Sequence, residues 1–289
     1  MANESTSSTL DDLIQPLIAE TRMVIGSGVN LADYVTVRAE AAGKKGVLFP
    51  EYGSVTHSSV AEGTDGSNQA ISTSGVTITP GEYITMATLT DVARDTGINF
   101  AQFGIDVGKL TKEAKRDSIN QAIYALFDGF STSIGSSNTN ITLALIDQGV
   151  KQLQINKAPT LPDGTYVLAI TPHVKQDLVG LYAATSVANV GSVTDYIQSR
   201  GVLPPFRGVT PVIVDNLAAG TSTGQIDEAD TKCGLFSPAA IGMAIRYDVR
   251  VEPQRDASLR ATELVITSAW AVAELKDGYG IELLVDNKD

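Results

Sequence analysis

The most regular pattern in the chain is an alternation of apolar and polar residues in its last fifth. From Ile241 to Val251 every second residue is aliphatic or aromatic, and the residues between them are Gly242, Ala244, Arg246, Asp248, Arg250 and Glu252. Successive side chains of a strand point to opposite faces, so this pattern predicts a long half-buried strand. Residues 253–259 predict a turn, and residues 262–274 a returning strand, completing a long β-hairpin.

A second pattern predicts a long helix over residues 111–134. Its apolar positions recur three and four residues apart: Ile119, Ile123, Leu126, Phe127, Phe130 and Ile134. This is the stripe of a helix that packs through one face. The basic run at 112–116 (KEAKR) is interpreted as its solvent-facing first turns. At about 1.5 Å per residue the helix would be roughly 35 Å long, the length of a structural strut.

Residues 53–81 contain no Lys or Arg and few large apolar residues. Strand-like sequences flank them, GVLFPEY at 46–52 and EYITMATLT at 82–90, and EGTDG in the middle suits a turn. We predict a two-stranded arm that leaves the body near residue 46 and returns near residue 90. Because an isolated hairpin is marginal in water, the arm needs a supporting surface. A flexible loop is the alternative that the composition leaves open.

The other segments are predicted from caps, breakers and short apolar runs. They are a helix over 9–25, a strand over 33–40, a short helix between Thr90 and Thr96, a helix over 141–154, a strand over 165–171, a helix over 172–182, a strand over 211–215 and a closing strand over 280–285. The alternation of helix and strand between about 140 and 239 predicts a compact α/β lobe.

The charge balance argues against tight binding to nucleic acid. There are 33 acidic and 21 basic residues, a net charge of −12, whereas tight binding to phosphates needs clustered Lys and Arg.

No apolar run is long enough to span a membrane. The polar, acidic start has none of the features of a signal peptide. One cysteine allows no internal disulfide and fits a reducing cytoplasm.

Three strings imitate nucleotide-binding or helicase motifs. Residues 104–111 (GIDVGKLT) resemble a phosphate loop but are one residue short, and Leu110 stands where a hydroxyl should hold magnesium. Residues 227–230 (DEAD) match a helicase motif, but no other helicase motif is present. Residues 26–28 (GSG) lack the third glycine of a dinucleotide-binding fingerprint.

The remaining reactive residues indicate no catalysis. Two histidines are too few for a histidine-rich metal site; His57 lies in the polar arm and His173 at a helix start, where surface positions are expected. Cys233 is expected to be a small buried residue. We therefore predict no catalytic residue, no cofactor and no metal site, and a protein that is not an enzyme.

The order of the predicted elements resembles the major capsid protein of tailed bacteriophages, which has the Hong Kong 97 fold. The resemblance is carried by residues 89–129 (from LTDVARDTGINF to YALFDG), 201–217 (GVLPPFRGVTPVIVDNL) and 234–275 (from GLFSPAAIGMAIRYDVRVEP to AWAVAEL). It implies an α+β fold with an N-terminal arm at 1–45, an extended loop at 46–89, a peripheral domain at 90–139 and 240–275 that holds the long spine helix and the long β-hairpin, and an α/β axial domain at 140–239 and 276–289.

The resemblance also implies a function and partners. Many copies, as hexamers and pentamers, would form an icosahedral shell around double-stranded DNA, with the extended loop lying over a neighbouring subunit. The shell would belong to the virion and assemble in the host cytoplasm. Scaffolding and portal proteins would be separate chains, a decoration protein is left open, DNA would lie nearby without sequence-specific binding, and no membrane is involved. The hairpin turn would approach three-fold positions, and the expected intersubunit contacts are Arg246, Arg250, Arg255, Asp256 and Arg260.

Some members of that family join a lysine of the extended loop to an asparagine of a neighbour. Here no lysine occurs between Lys45 and Lys109, and the turn at 253–259 has no asparagine. We therefore predict a noncovalent shell. Two alternatives stay open at this point: an encapsulin-like nanocompartment around protein cargo, and a soluble α/β enzyme in which residues 53–81 form a mobile lid.

Overall fold

The part of the chain that the structure describes contains three sheets and four α-helices, one of them long. The computed structural model describes residues 29–39, 45–53, 55–96, 100–137, 139–184, 203–214 and 230–286. The strands are β1 Thr36–Ala39, β2 Val47–Tyr52, β3 Thr73–Ile78, β4 Gly81–Thr90, β5 Ser133–Gly135, β6 Tyr166–Ile170, β7 Val209–Ile213, β8 Asp230–Phe236, β9 Ile241–Asp256, β10 Ala261–Glu274 and β11 Gly280–Asp286. The helices are α1 Asp91–Asp95, α2 Phe100–Phe127, α3 Leu143–Ile155 and α4 Pro172–Ala184.

The predicted long hairpin is confirmed as β9 and β10. These strands pair antiparallel and lie at the centre of a four-stranded sheet with the order β1-β9-β10-β4. The turn was predicted too early, because pairing continues from Pro253 opposite Leu264 to Asp256 opposite Ala261. The turn itself occupies residues 257–260.

The bounds predicted for the long helix are wrong at both ends. Gly104 and Gly108, which indicate a break in the sequence, lie inside α2, and the basic run at 112–116 lies in its middle rather than at its start. Gly104 faces the sheet, since a Cβ added there would lie 3.7 Å from Leu264. At the other end Phe130 and Ile134 are buried as expected, but they follow the helix, and Ile134 belongs to β5.

A five-stranded sheet with the order β5-β11-β8-β6-β7 forms the second layer. All five residues of β6 are buried, because helices cover both faces of the sheet. Leu168 and Ile170 pack in the core that includes residues of α3 and α4, whereas Val167 and Ala169 pack in the core that includes residues of α2. The second core also contains Trp270 of β10, so α2 joins the two sheets.

The smaller predicted elements are confirmed with shifted ends. Thr90 caps α1 by accepting a hydrogen bond from the Ala93 amide at 3.3 Å, and Thr142 caps α3 in the same way through Leu145. The strand expected over 211–215 is β7 at Val209–Ile213, and the one expected over 33–40 is a short 3-10 turn, Leu31–Tyr34, followed by β1. The helix expected over 9–25 lies outside the described residues.

The predicted arm is confirmed only at its base. β2 pairs antiparallel with β3, from Val47 opposite Ile78 to Tyr52 opposite Thr73. Beyond this ladder, the described residues between 53 and 72 form no strand, and a turn lies at residues 62–63. The sequence at 82–90 does not return along β2. It is β4, which pairs with β10 instead, from Gly81 opposite Trp270 to Thr90 opposite Ala261.

Candidate assembly surface

The strings that imitate enzyme motifs form no site in the described residues. Residues 104–111 are helical within α2, so they provide no loop for a phosphate, and of residues 227–230 only Asp230 is described, as the first residue of β8. His57 and His173 are both exposed, as expected. Within the described ranges no group of three or more His, Cys, Asp or Glu is placed to hold a metal ion. Residues 26–28 lie outside those ranges.

Cys233 is buried in the core of the five-stranded sheet, which confirms the prediction of a small buried residue. Burial raises the pKa of its thiol to about 12. A thiol with such a pKa is almost entirely protonated at neutral pH and therefore a poor nucleophile.

In none of the described helices is there a stretch long and apolar enough to cross a membrane.

The tip of the hairpin is held to α1 within the same chain. Arg255 donates from both terminal nitrogens to the Asp91 carboxylate, at 2.8 and 2.6 Å. This hydrogen bonding holds the pKa of Asp91 below its usual value, although the slight burial of the group opposes the shift. The Asp91 amide donates to the Arg260 carbonyl at 2.8 Å. Asp256 stabilises the turn by accepting from the Ser258 amide at 2.8 Å. Three of the five predicted contact residues thus have roles inside the subunit.

The other two predicted contact residues lie further back on β9. The Arg250 guanidinium stands over the Tyr247 ring, 4.1 Å from its centroid. The Tyr247 hydroxyl donates to Glu82, and this bond raises the pKa of Tyr247. Arg246 donates to the Lys45 carbonyl at 3.5 Å. The five residues therefore spread along β9 and its turn without forming one cluster, and their role between subunits stays a prediction.

The outer half of the four-stranded sheet carries apolar side chains in solvent. The alternation on β9 predicted one buried face, but that face is covered only as far as Tyr247; Val249 is 46% exposed and Val251 54%. On β4, Ile84 is 61% exposed and Met86 55%. Val251 lies opposite Ile266, and Ile266 lies opposite Thr85, so the two valines lie on one face of the sheet and Ile84 and Met86 on the other. Both faces of this half of the sheet therefore expose apolar side chains.

The base of the arm is fixed to the body, and its tip is exposed. Val47, Phe49 and Ile78 pack against Ala244 of β9 in a small separate core. Lys276 bonds the Glu51 carboxylate at 2.6 Å. Residues 55–75 are all exposed on the other side of this anchor. The arm therefore projects a fixed, largely uncharged loop away from its own subunit.

A buried ionic cluster joins the end of α2 to the five-stranded sheet. Lys232 of β8 contacts Asp128, just after α2, and the Glu282 carboxylate of β11 at 3.2 Å. Burial acts to lower the pKa of Lys232, but the hydrogen bonds to Asp128 and Glu282 outweigh it and raise the pKa. No sequence pattern predicted this cluster. The one available signal was that a lysine stands among small and apolar residues in the β8 sequence TKCGLF.

Comparisons with known proteins agree on the fold. No protein-family model and no curated protein matches the chain. Solved structures do match. A capsid structure of the cyanophage P-SCSP1u is 19% identical and has a TM-score of 0.66, covering 90% of this chain and 89% of that one. An acid-stable capsid structure of Helicobacter pylori bacteriophage KHP30 is 10% identical and has a TM-score of 0.69, covering 100% of both chains. The capsid of Ralstonia phage GP4 is 8% identical, with a TM-score of 0.65 over 89% and 88%.

These matches extend over nearly the whole chain and include its arm, long helix and long hairpin. The chain therefore has the α+β fold of phage capsid proteins, the Hong Kong 97 fold that its sequence predicted.

Proposed function

We propose that this chain is the major capsid protein of a tailed bacteriophage, whose copies form the icosahedral shell that encloses double-stranded DNA. The observation that carries the proposal is the likeness to capsid structures over the full length of the chain. The absence of a family match leaves this assignment to the fold and to the surfaces described above.

The surfaces suit a protein that associates with copies of itself. The arm from β2 to β3 is anchored at its base and exposed at its tip, so its length is useful only on another subunit. In the proposed shell the tip lies over a neighbouring subunit of the same hexamer or pentamer. Arg255, Asp256 and Arg260 add polar contacts near three-fold positions, and Arg246 and Arg250 add contacts further back on β9. Ion pairs at a surface are worth little singly.

The remaining features of the proposed shell are those that the resemblance to the capsid family and the charge of the chain imply. The net charge is −12, and any part of this negative charge that faces packaged DNA would avoid trapping it during filling. Scaffolding and portal proteins would be separate chains, the shell would assemble in the host cytoplasm, and the protein would have no enzymatic activity. Contacts between subunits would be noncovalent. The domain bounds are those of the sequence analysis: arm 1–45, extended loop 46–89, peripheral domain 90–139 and 240–275, axial domain 140–239 and 276–289.

The proposal is tested by expressing the chain alone and together with the proteins of its own phage, followed by sedimentation velocity and negative-stain electron microscopy. We expect closed particles or capsomers. A chain that stays monomeric under all these conditions at high concentration would contradict the proposal. Particles that contain a protein cargo and no nucleic acid would favour an encapsulin-like compartment.

A matched variant locates the assembly function in the arm. The Gly53 amide donates to the Ser72 carbonyl at 2.8 Å, so residues 54–71 can be replaced by Asn-Gly, which closes a two-residue turn between them. We expect this variant to melt like the wild type as a monomer and to form no particles. Particles from the shortened chain would show that the arm is dispensable.

A further inference from the structure

One edge of the four-stranded sheet lacks the features that usually prevent strand addition. β4 is ten residues long and forms that edge. Its sequence, GEYITMATLT, contains no Lys, Arg or Pro and a single charge, Glu82. Among the described residues no second strand pairs with its free side. Such an edge presents a row of unpaired N–H and C=O groups that can pair with another chain.

The other edge strands of the described structure are short or carry a residue that weakens pairing. β1 has four residues and includes Arg38, β5 has three residues, β7 has Pro211, β2 has Pro50 and β3 has Gly75. Short length, charge and proline are common protections of a sheet edge, and glycine weakens a strand. The contrast indicates that β4 is left open because something pairs with it.

The side chains of β4 support the same conclusion. Tyr83 stacks on Trp270 on the face of the sheet that α2 covers, with ring centroids 4.4 Å apart. Ile84 and Met86 alternate with Tyr83 and Thr85, and all four are exposed. A strand added beside β4 would cover apolar groups on both faces of the edge.

The chain also contains an exposed segment that forms no strand in the described structure and whose one backbone bond across the arm is from the Gly53 amide to the Ser72 carbonyl at 2.8 Å. Residues 66–72 (GSNQAIS) are uncharged and lead directly into β3. Ile71 is 64% exposed. Gln69 contacts the other side of the arm through its side chain, which bonds the Thr56 amide and carbonyl at 2.8 Å each. The segment is therefore held in place while most of its backbone is free to pair.

We propose that residues 66–72 of a neighbouring copy pair with the free edge of β4 as a fifth strand. Segment and edge are present in one chain and do not pair there, because the segment lies beyond the end of the β2–β3 ladder. A second copy supplies the segment from outside. This inference rests on the proposed function, since it requires copies assembled side by side, and it names the backbone pairing through which the arm would hold its neighbour.

Cysteine scanning of assembled particles tests the pairing. Ile71→Cys is combined in turn with Tyr83→Cys, Ile84→Cys, Thr85→Cys and Met86→Cys, and particles are oxidised and run on a non-reducing denaturing gel. Background from Cys233 is low because its thiol is buried. We expect disulfide-linked multimers for alternate positions only, either 83 and 85 or 84 and 86, because side chains of a strand alternate between faces. Ile71→Cys with Val37→Cys, on the opposite edge strand, is the matched control and should stay unlinked.

Three results would overturn the inference while leaving the shell intact. Particles could form without links at any of the four positions, or with equal links at all four, which would indicate a loose contact. Single cysteines on β4 could link to each other, which would show that two β4 edges pair. If the unmodified chain forms no particles, the proposed function itself fails and this inference with it.

Discussion

The Arg255 guanidinium and the Asp91 carboxylate form a two-bond ion pair, at 2.8 and 2.6 Å, that joins the hairpin tip to the short helix after β4. β4 also pairs with β10 along its whole length. The ion pair therefore links the far ends of three neighbouring strands, β9, β10 and β4. Contact of Arg255 with another subunit stays a prediction. Inside its own subunit Arg255 holds the turn against α1.

Replacing Asp91 with Asn should lower the melting temperature of the unassembled chain at neutral pH. The pKa of Asp91 lies below the ordinary value of 3.8 in the folded chain, so its stabilising effect is present above that value and is lost as the pH falls through the lowered pKa. The difference in melting temperature between variant and wild type should therefore shrink in acid. Arg255→Lys is the companion variant, because lysine cannot make the two parallel bonds. A deficit of equal size at acid and neutral pH would contradict this account.

Removing the Lys232 side-chain charge should be strongly destabilising. Lys232→Met leaves the buried Glu282 carboxylate without its cation, which typically costs about 3 kcal/mol or more. Lys232→Met combined with Glu282→Leu should recover part of the loss, because the buried Glu282 charge is then removed and only the partly exposed Asp128 carboxylate is left without the lysine. Denaturant unfolding measures both, with Lys151→Met on the exposed surface as control. Equal free energies of unfolding for the single and the double variant would argue against a role of the ion pair in stability.

The same lysine predicts a behaviour at high pH. Its pKa is raised above the ordinary 10.5, so its contribution to stability is fully present below that value and is lost as the pH rises through the raised pKa. Lys232→Met should therefore differ most from the wild type at neutral pH and less in strong alkali. Thermal melts from pH 7 upward measure the difference; an unchanged gap would contradict the prediction.

Gly234 should tolerate no side chain. A Cβ added there would lie 2.5 and 2.6 Å from ring atoms of Phe127, closer than real contacts allow, so Gly234→Ala should destabilise the chain by about 1–3 kcal/mol. Gly81→Ala is the control, because no described atom lies within 4 Å of its added Cβ. Denaturant unfolding of the two variants gives the comparison. Equal stability would mean that Phe127 can move aside freely.

Purified particles should separate completely into single chains on a denaturing, reducing gel. The arm has no lysine and the hairpin turn no asparagine, so the isopeptide chemistry that some related shells use has no reactants at these positions. A ladder of multimers that survives reduction would contradict the noncovalent shell. Unmodified chains of one length would support it.

Elements with strong local patterns could be predicted from the sequence. The apolar run of β6 predicts a strand whose burial matches the structure. The alternation from Ile241 to Tyr247 predicts a strand correctly, but Gly242 and Ala244 of the expected outer face are buried as well. The start of α2 could not be predicted. Gly104 and Gly108 weaken a helix locally, and the helix continues through them because it packs against the sheet near Leu264.

The assembly surface was harder to predict, because its parts come together over long stretches of sequence. β2 and β4 appeared to be the two sides of one arm, yet Met86 of β4 lies opposite Val265 of β10. Local propensity identifies both segments as strands and does not choose between partners. The sequence also gave no indication that Val249 and Val251 are exposed, because they continue the same apolar–polar alternation as the buried residues before them.

The position of β11 has a consequence for the timing of folding during synthesis. β11 lies between β5 and β8 and contributes Ile281, Leu283 and Val285 to the core. Proteins are made from the N-terminus onward, so β5 has no neighbour in the described sheet until residues 280–286 have been translated. A nascent chain that already displays its arm therefore still has an unfinished core. The five-stranded sheet can therefore be completed only after β11 has been made, long after the residues of the arm.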